Sequence, residues 1–287
     1  MAYVDALSMA ASTRNGAIVN GLSMSWLEWP DPGNPSKCSV LILHGILQNA
    51  EGMSSLARHL APYHRVVAPD LRGRGETGQP ADGYQPATIA HDLAMLIPVL
   101  ELERLVVIGR IHGGVVGYHL AASAPDLVHG LILGDTRPEI SPERAERRLR
   151  AIHAMPRSFE SLEAAVSFYQ RGLGLSEERA RHDIPHDLAI DDGRYIWKHN
   201  LDIIARIEAA SSPRSDWDVL QRIAAPTLVL RGQRGRIALE TADRMKSTMP
   251  RCELQTIFGA NHDVFMGPGA EQALGAIDMF LMRLNRV

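Results

Sequence analysis

The stretch "RLVVIGRIHGGVVGYHLAA", Arg104–Ala122, decides the fold. It reads as an apolar strand, a glycine-flanked turn and then a helix. The middle of such a turn usually carries a nucleophile, most often serine. Here Gly109-Arg110-Ile111-His112-Gly113 places isoleucine at that position. A turn built for chemistry therefore presents a side chain that cannot react.

Working outward, the same kind of apolar run recurs. "CSVLIL" (38–43), "RVVAP" (65–69), "GLILGD" (130–135), "PTLVLR" (226–231) and "ELQTIF" (253–258) are nearly all apolar, as strands of a parallel sheet buried on both faces must be. "GAIV" (16–19) and "MSWLEW" (24–29) alternate and predict an antiparallel hairpin. Helical patterns such as "ATIAHDLAMLIPVL" and "ALETADRMKSTM" lie between most of the runs. Strand–helix alternation predicts a doubly wound, mostly parallel α/β sheet with right-handed crossovers.

One segment breaks the alternation. From Pro138 to Asp218 no strand is read, and "PERAERRLRAIHAM" and "SFESLEAAVSFYQRGL" have helical spacing. The expectation is a core formed by residues 1–137 and 219–287, with a helical cap over 138–218. Such caps exclude water and shape a pocket. The charge run Glu143–Arg150 reads most simply as a solvated helix face. Asp216 and Asp218 read as caps of the helix that returns to the core.

Composition narrows the function classes. The 287 residues include 45% hydrophobic types, enough for a large core. Lys+Arg number 30 and Asp+Glu 33, giving a net charge of −3, so no nucleic-acid footprint is present. No apolar run approaches the roughly 18 residues of a membrane span. The N-terminal "MAYVDALSMAAS" lacks a basic region followed by a sustained apolar one, so no signal peptide is expected. Cys38 and Cys252 read as buried thiols of a reducing compartment. A cytoplasmic protein, monomer or homodimer, acting on a small molecule is the expectation. No nucleic-acid or membrane partner, no cofactor and no metal ligand is assigned.

The order of the motifs carries a resemblance. "LILHGILQNA" follows the first parallel strand, "VVAPDLRGRGETGQP" the next and "VIGRIHGG" the third, while "FGANHDVF" ends the last. "VNGLSMSWLEW" and "PTLVLRGQRG" complete the series. Motifs in this order, each on the right element, resemble the α/β-hydrolase superfamily over almost the whole chain. The resemblance implies an eight-stranded sheet and an oxyanion hole made by the backbone N–H groups of Ile46, after His44-Gly45, and His112. It places His262 as the catalytic histidine, Ile111 at the nucleophile elbow, and a structural turn at Asp70–Gly75. Where the family commonly carries its acid, Gly232-Gln233-Arg234-Gly235 offers glycine.

A histidine base needs a partner that fixes its tautomer. Some branches of the superfamily place the acid one strand earlier, and Asp135 in "LGDTRP" is in register with that site. The reading is a His262–Asp135 dyad; its alternative is that Asp135 caps the start of the cap. Asp263, adjacent to His262, is expected to point elsewhere. Substrate-pocket candidates are His44, Arg110, His112, Phe168 and Trp197, with Tyr169 and His199 nearby in the cap. For Arg110 the competing reading is pairing with an acidic neighbour, and for His112 it is packing under the elbow helix. Without a hydroxyl at Ile111 no acyl-enzyme is expected. What remains is general-base catalysis: ester or lactone hydrolysis by direct water attack, or lyase or cyclase chemistry. His112-Gly113-Gly114 and Asp135 are also similar to features of the cofactor-free ring-cleaving dioxygenases, although those keep serine where this chain has Ile111. A catalytically inactive binding protein is the third reading.

Overall fold

The computed structural model describes residues 11–30, 33 and 38–285. Eight strands form one sheet: β1 (Thr13–Val19), β2 (Leu22–Trp29), β3 (Val40–Leu43), β4 (Val66–Pro69), β5 (Val106–Arg110), β6 (Gly130–Gly134), then β12 (Thr227–Gly232) and β13 (Cys252–Ile257). Their spatial order is β1-β2-β4-β3-β5-β6-β12-β13. β1 and β2 form the expected hairpin, with Val19 opposite Leu22, and β2 runs antiparallel to β4. From β4 to β13 every pairing is parallel.

The parallel strands are buried on both faces, which explains their unbroken apolar runs. Leu41, Leu43, Val107, Leu131 and Val229 face one side, with helices α2 (Pro86–Val99), α3 (His112–Ser123), α8 (Trp217–Gln221) and α9 (Leu239–Thr248). Val40, Ile42, Val106, Ile108 and Leu230 face the other, with α1 (Ser54–Leu60) and α10 (Ala270–Leu284). The period of two along each strand sorts the two cores. Cys38 is buried beside β3, whereas Cys252 opens β13 only half-buried; both thiols are free.

Between β6 and β12 the chain leaves the sheet and returns at one place. β7 (Glu139–Ile140) pairs antiparallel with β11 (Arg214–Ser215), closing the base of the excursion. Within it lie α4 (Pro142–His153), α5 (Leu162–Leu173), α6 (Glu177–Asp187) and α7 (Leu201–Ser211). The expectation of an all-helical segment fails. β8 (Ser158–Phe159), β9 (Leu188–Asp191) and β10 (Arg194–Trp197) form a three-stranded antiparallel sheet. The β9–β10 turn is Asp192-Gly193, both with positive φ (44° and 73°), the backbone that a two-residue hairpin of right-handed twist requires. The segment has its own apolar cluster around Phe159, Tyr169, Ile184, Trp197 and Ile204, against which Ile46 and Leu47 of the core also pack. Among the described residues no helix is long and apolar enough to cross a membrane.

Candidate active site

β5 ends at Arg110 and α3 begins at His112, so Ile111 alone makes the turn. Its φ is 52° and ψ −103°, a conformation that costs a β-branched residue on the order of 1–3 kcal/mol. The surroundings hold it there. Ile111 N–H donates to Gly134 O at 3.1 Å, and Val115 N–H donates to Ile111 O at 3.1 Å. A Cβ on Gly113 would lie 2.2 Å from Leu43 O, and one on Gly109 would lie 2.4 Å from the Gly114 Cα. Strand and helix thus meet at backbone distance, and the turn persists without help from its apex side chain.

The loop after β3 lies beside this elbow. Gln48 Oε1 accepts from the Gly45 N–H at 3.3 Å and from the Arg110 guanidinium, tying loop to elbow. Ile46 N–H has no hydrogen-bond partner among the described residues, and His112, as the first residue of α3, has no carbonyl one turn earlier in its own helix. Ile46, Ile111 and His262 line one cavity of about 110 Å³.

His262 is half-buried in the loop after β13. Burial and the guanidinium groups of Arg236, Arg110 and Arg179 push its pKa down to about 3. Its imidazole is neutral at physiological pH, and among the described residues no carboxylate accepts from it. The His262–Asp135 pair is therefore a correction: no hydrogen bond or ion pair joins them. Asp135 sits at the end of β6 with φ 44° and is 1% exposed. Its carboxylate accepts from Arg236 N–H at 2.6 Å and Gly232 N–H at 3.4 Å, so both oxygens hold the loop after β12. Burial raises its pKa, and these main-chain hydrogen bonds oppose the shift. A Cβ on Gly235 would lie 2.2 Å from Asp135 Oδ1. The carboxylate of Asp135 thus fills the volume that a side chain at Gly235 would enter. Asp135 and His262 line different cavities, and Ile111 and Arg236 line both.

The pocket candidates divide. His44 is fully buried: its Nδ1–H donates to Gly45 O at 2.8 Å and its Nε2 accepts from Leu71 N–H at 3.0 Å. Burial, helped by Arg74, holds it neutral, and it anchors the loop rather than lining the pocket. Arg110 lines the His262 cavity but is paired, its Nη2 lying 3.0 Å from Asp263 Oδ2. Asp263 also takes Arg179 of α6, whose Nε reaches Asp183 at 2.7 Å. This buried network ties the elbow, the histidine loop and the cap together. His112 is buried and held neutral; its Nε2 lies 3.2 Å from Ser211 Oγ, and its Nδ1 has no partner. With Asp135 and Ile111 it lines a space of about 20 Å³. Phe168 lines a larger cavity under the cap, whereas Trp197 packs against Phe159 and Tyr169 and donates to Pro156 O. Asp216 occupies the N-cap position of α8, but its side chain binds Tyr118 and Arg214 instead of the helix amides.

Residues that the sequence reading passed over dominate the larger cavity. It measures about 640 Å³, and its wall includes Arg137, Arg144, Arg147, Arg148 and Arg236. The charge run on α4 is thus a cavity wall on one side. A basic run at helical spacing could have suggested this, but only the fold brings Arg137 and Arg236 to it.

The sequence matches the alpha/beta hydrolase fold family over residues 39–268. The chain belongs to this family. It is 32% identical over 161 residues to a 3-hydroxybutyrate-oligomer hydrolase of Cupriavidus necator, 55% of this chain and 53% of that protein. It spans about half the length of this and several further curated relatives that it matches. With the 2-(acetamidomethylene)succinate hydrolase of Mesorhizobium japonicum it shares 26% identity over 234 residues, 78% of this chain and 81% of the relative. An alpha/beta hydrolase of Novosphingobium aromaticivorans superposes with a TM-score of 0.81 at 27% identity, covering 96% of this chain and 100% of that one.

Proposed function

We propose that this family member is an enzyme that acts on a small organic molecule without forming an acyl-enzyme. His262 accepts the proton, and the amides of Ile46 and His112 stabilise the oxyanion. One observation carries the reading: a neutral imidazole without a carboxylate partner shares a cavity with an elbow whose apex is aliphatic. A covalent route needs a heteroatom at the apex, and Ile111 has none. A neutral imidazole can instead take a proton from water or from a carbon beside a carbonyl. Two main-chain donors can hold the negative charge that develops on the carbonyl oxygen. Hydrolysis by direct water attack and lyase or cyclase chemistry all use these parts. Hydrolysis also accords with the hydrolase names of the relatives. Asp135 serves as a positioning residue, holding the loop that carries Arg236.

The test is turnover of a panel of activated esters, lactones and keto acids by the intact chain. His262→Ala is expected to lower kcat at least about 100-fold, and Ile111→Ala to leave it within a few-fold. Full activity in His262→Ala, or loss in Ile111→Ala with the fold intact, overturns the reading. Ligand binding without turnover in wild type would make the chain a binding protein.

A further inference from the structure

The cavity under the cap is rich in arginine, whereas several arginines elsewhere are matched by carboxylates. Arg72 has Asp92, Arg65 has Glu28, and Arg110 and Arg179 share Asp263. Of the five arginines around the cavity, only Arg148 has a carboxylate within ion-pair distance among the described residues, Glu208 Oε2 at 2.8 Å. Arg137 donates to the carbonyl of Arg236, and among the described residues no side chain lies within hydrogen-bond or ion-pair distance of the guanidinium groups of Arg144, Arg147 and Arg236. A solvated helix face would explain Arg144 and Arg147 alone. It does not explain Arg137, from the loop after β6, or Arg236, from the loop after β12, which reach the same volume. Guanidinium groups brought together repel each other: desolvation of its guanidinium, with neighbouring Arg148 and Arg110, lowers the Arg236 pKa to about 10, while Asp135 and Glu208 oppose the shift.

Apart from Glu208, which Arg148 holds, the rest of the wall is apolar and includes Ile46, Leu47, Ile152, Met155, Phe168 and Leu173. Ile46, Leu47 and Arg236 also line the cavity that holds His262. A molecule seated under the cap therefore has its next neighbours at the oxyanion loop. Arginine forks bind carboxylate and phosphate oxygens in pairs, and the volume far exceeds that of an inorganic anion.

We propose that this cavity binds a small organic molecule with an apolar body and two or more oxyanion charges, carboxylate or phosphate, and that Arg236 and Arg137 are its specificity-determining contacts. The inference rests on the proposed function in taking this molecule to be the one presented to His262. Its binding is testable without turnover.

The experiment is calorimetric titration of the full chain with phthalate, with dimethyl phthalate and with phenyl phosphate. Phthalate or phenyl phosphate is expected to bind at least about tenfold more tightly than the diester, and the tighter of the two identifies carboxylate or phosphate as the preferred group. Arg236→Gln and Arg137→Gln are each expected to lose about tenfold or more, while Arg222→Gln, at the exposed C-cap of α8, binds as wild type. Melting temperatures confirm that the variants fold. Equal binding of diester and dianions, no binding of either dianion, or wild-type affinity in both cavity variants overturns the proposal. His262→Ala is expected to retain the affinity, so loss of turnover with binding intact separates this site from the proton acceptor. If His262 proves dispensable while the dianion still binds, the function falls and the anion site stands.

Discussion

The elbow after β5 and the loop after β12 both depart from the family pattern, and they depart differently. At the loop, Gly235 offers no acid, yet the carboxylate of Asp135 reaches the same volume from the neighbouring strand and holds two main-chain amides. At the elbow the backbone is retained, strain included, but the apex carries only carbon. A carboxylate that anchors a loop can come from any residue that reaches the volume. A nucleophile works only at the apex, so under the proposed function the isoleucine there alters the chemistry while the architecture stays in place.

The largest effect tests the shared volume. Gly235→Asp is expected to destabilise the fold by about 4 kcal/mol, because its Cβ meets Asp135 and two buried carboxylates then compete. Adding Asp135→Ala to that variant is expected to recover part of the loss, a non-additivity that denaturant titrations of both variants would show. If the two losses simply add, the volume is not shared. Asp135→Ala alone should cost about 2–3 kcal/mol by leaving the Gly232 and Arg236 amides without an acceptor.

A pH effect of intermediate size concerns His262. Its folded pKa of about 3 lies below the usual 6.5, so the folded state favours the neutral form. Its contribution to stability is complete above about pH 6.5 and is lost as pH falls toward 3. Buried, neutral His44 and His112 act in the same window. The readout is therefore the difference between wild type and His262→Gln: melting temperatures from pH 7 to 4.5 should fall less steeply in the variant. Equal slopes would place His262 in contact with a charge-stabilising partner.

The smallest effect sits at the elbow. Ile111→Gly is expected to raise stability by about 1 kcal/mol, relief of the positive-φ strain outweighing the glycine's extra chain entropy. A loss instead would show that the Ile111 side chain holds the turn, contrary to its backbone anchoring.

Most of the sheet was legible because each parallel strand is buried on both faces and reads as an unbroken apolar run. The elbow was legible from its glycines, whose need is local. The cap sheet was not read, since β8 has two residues and β9 and β10 four each, too short for periodicity. The signal that could have found it was "DDGR", an Asp-Gly hairpin turn between Leu188–Asp191 and Arg194–Trp197. The contact made by Asp135 was legible as a position but not as a partner, because sequence register cannot show that two loop amides take both oxygens first. The arginine cavity gathers residues from three distant stretches, which no local pattern announces.

The central claim is that the active site forms no covalent intermediate, and intact-protein mass spectrometry with peptide mapping tests it most directly. After exposure to a fluorophosphonate and to an activated ester, the account predicts an unmodified chain. A stoichiometric adduct on a serine of the site, Ser211 beside His112 above all, would contradict it.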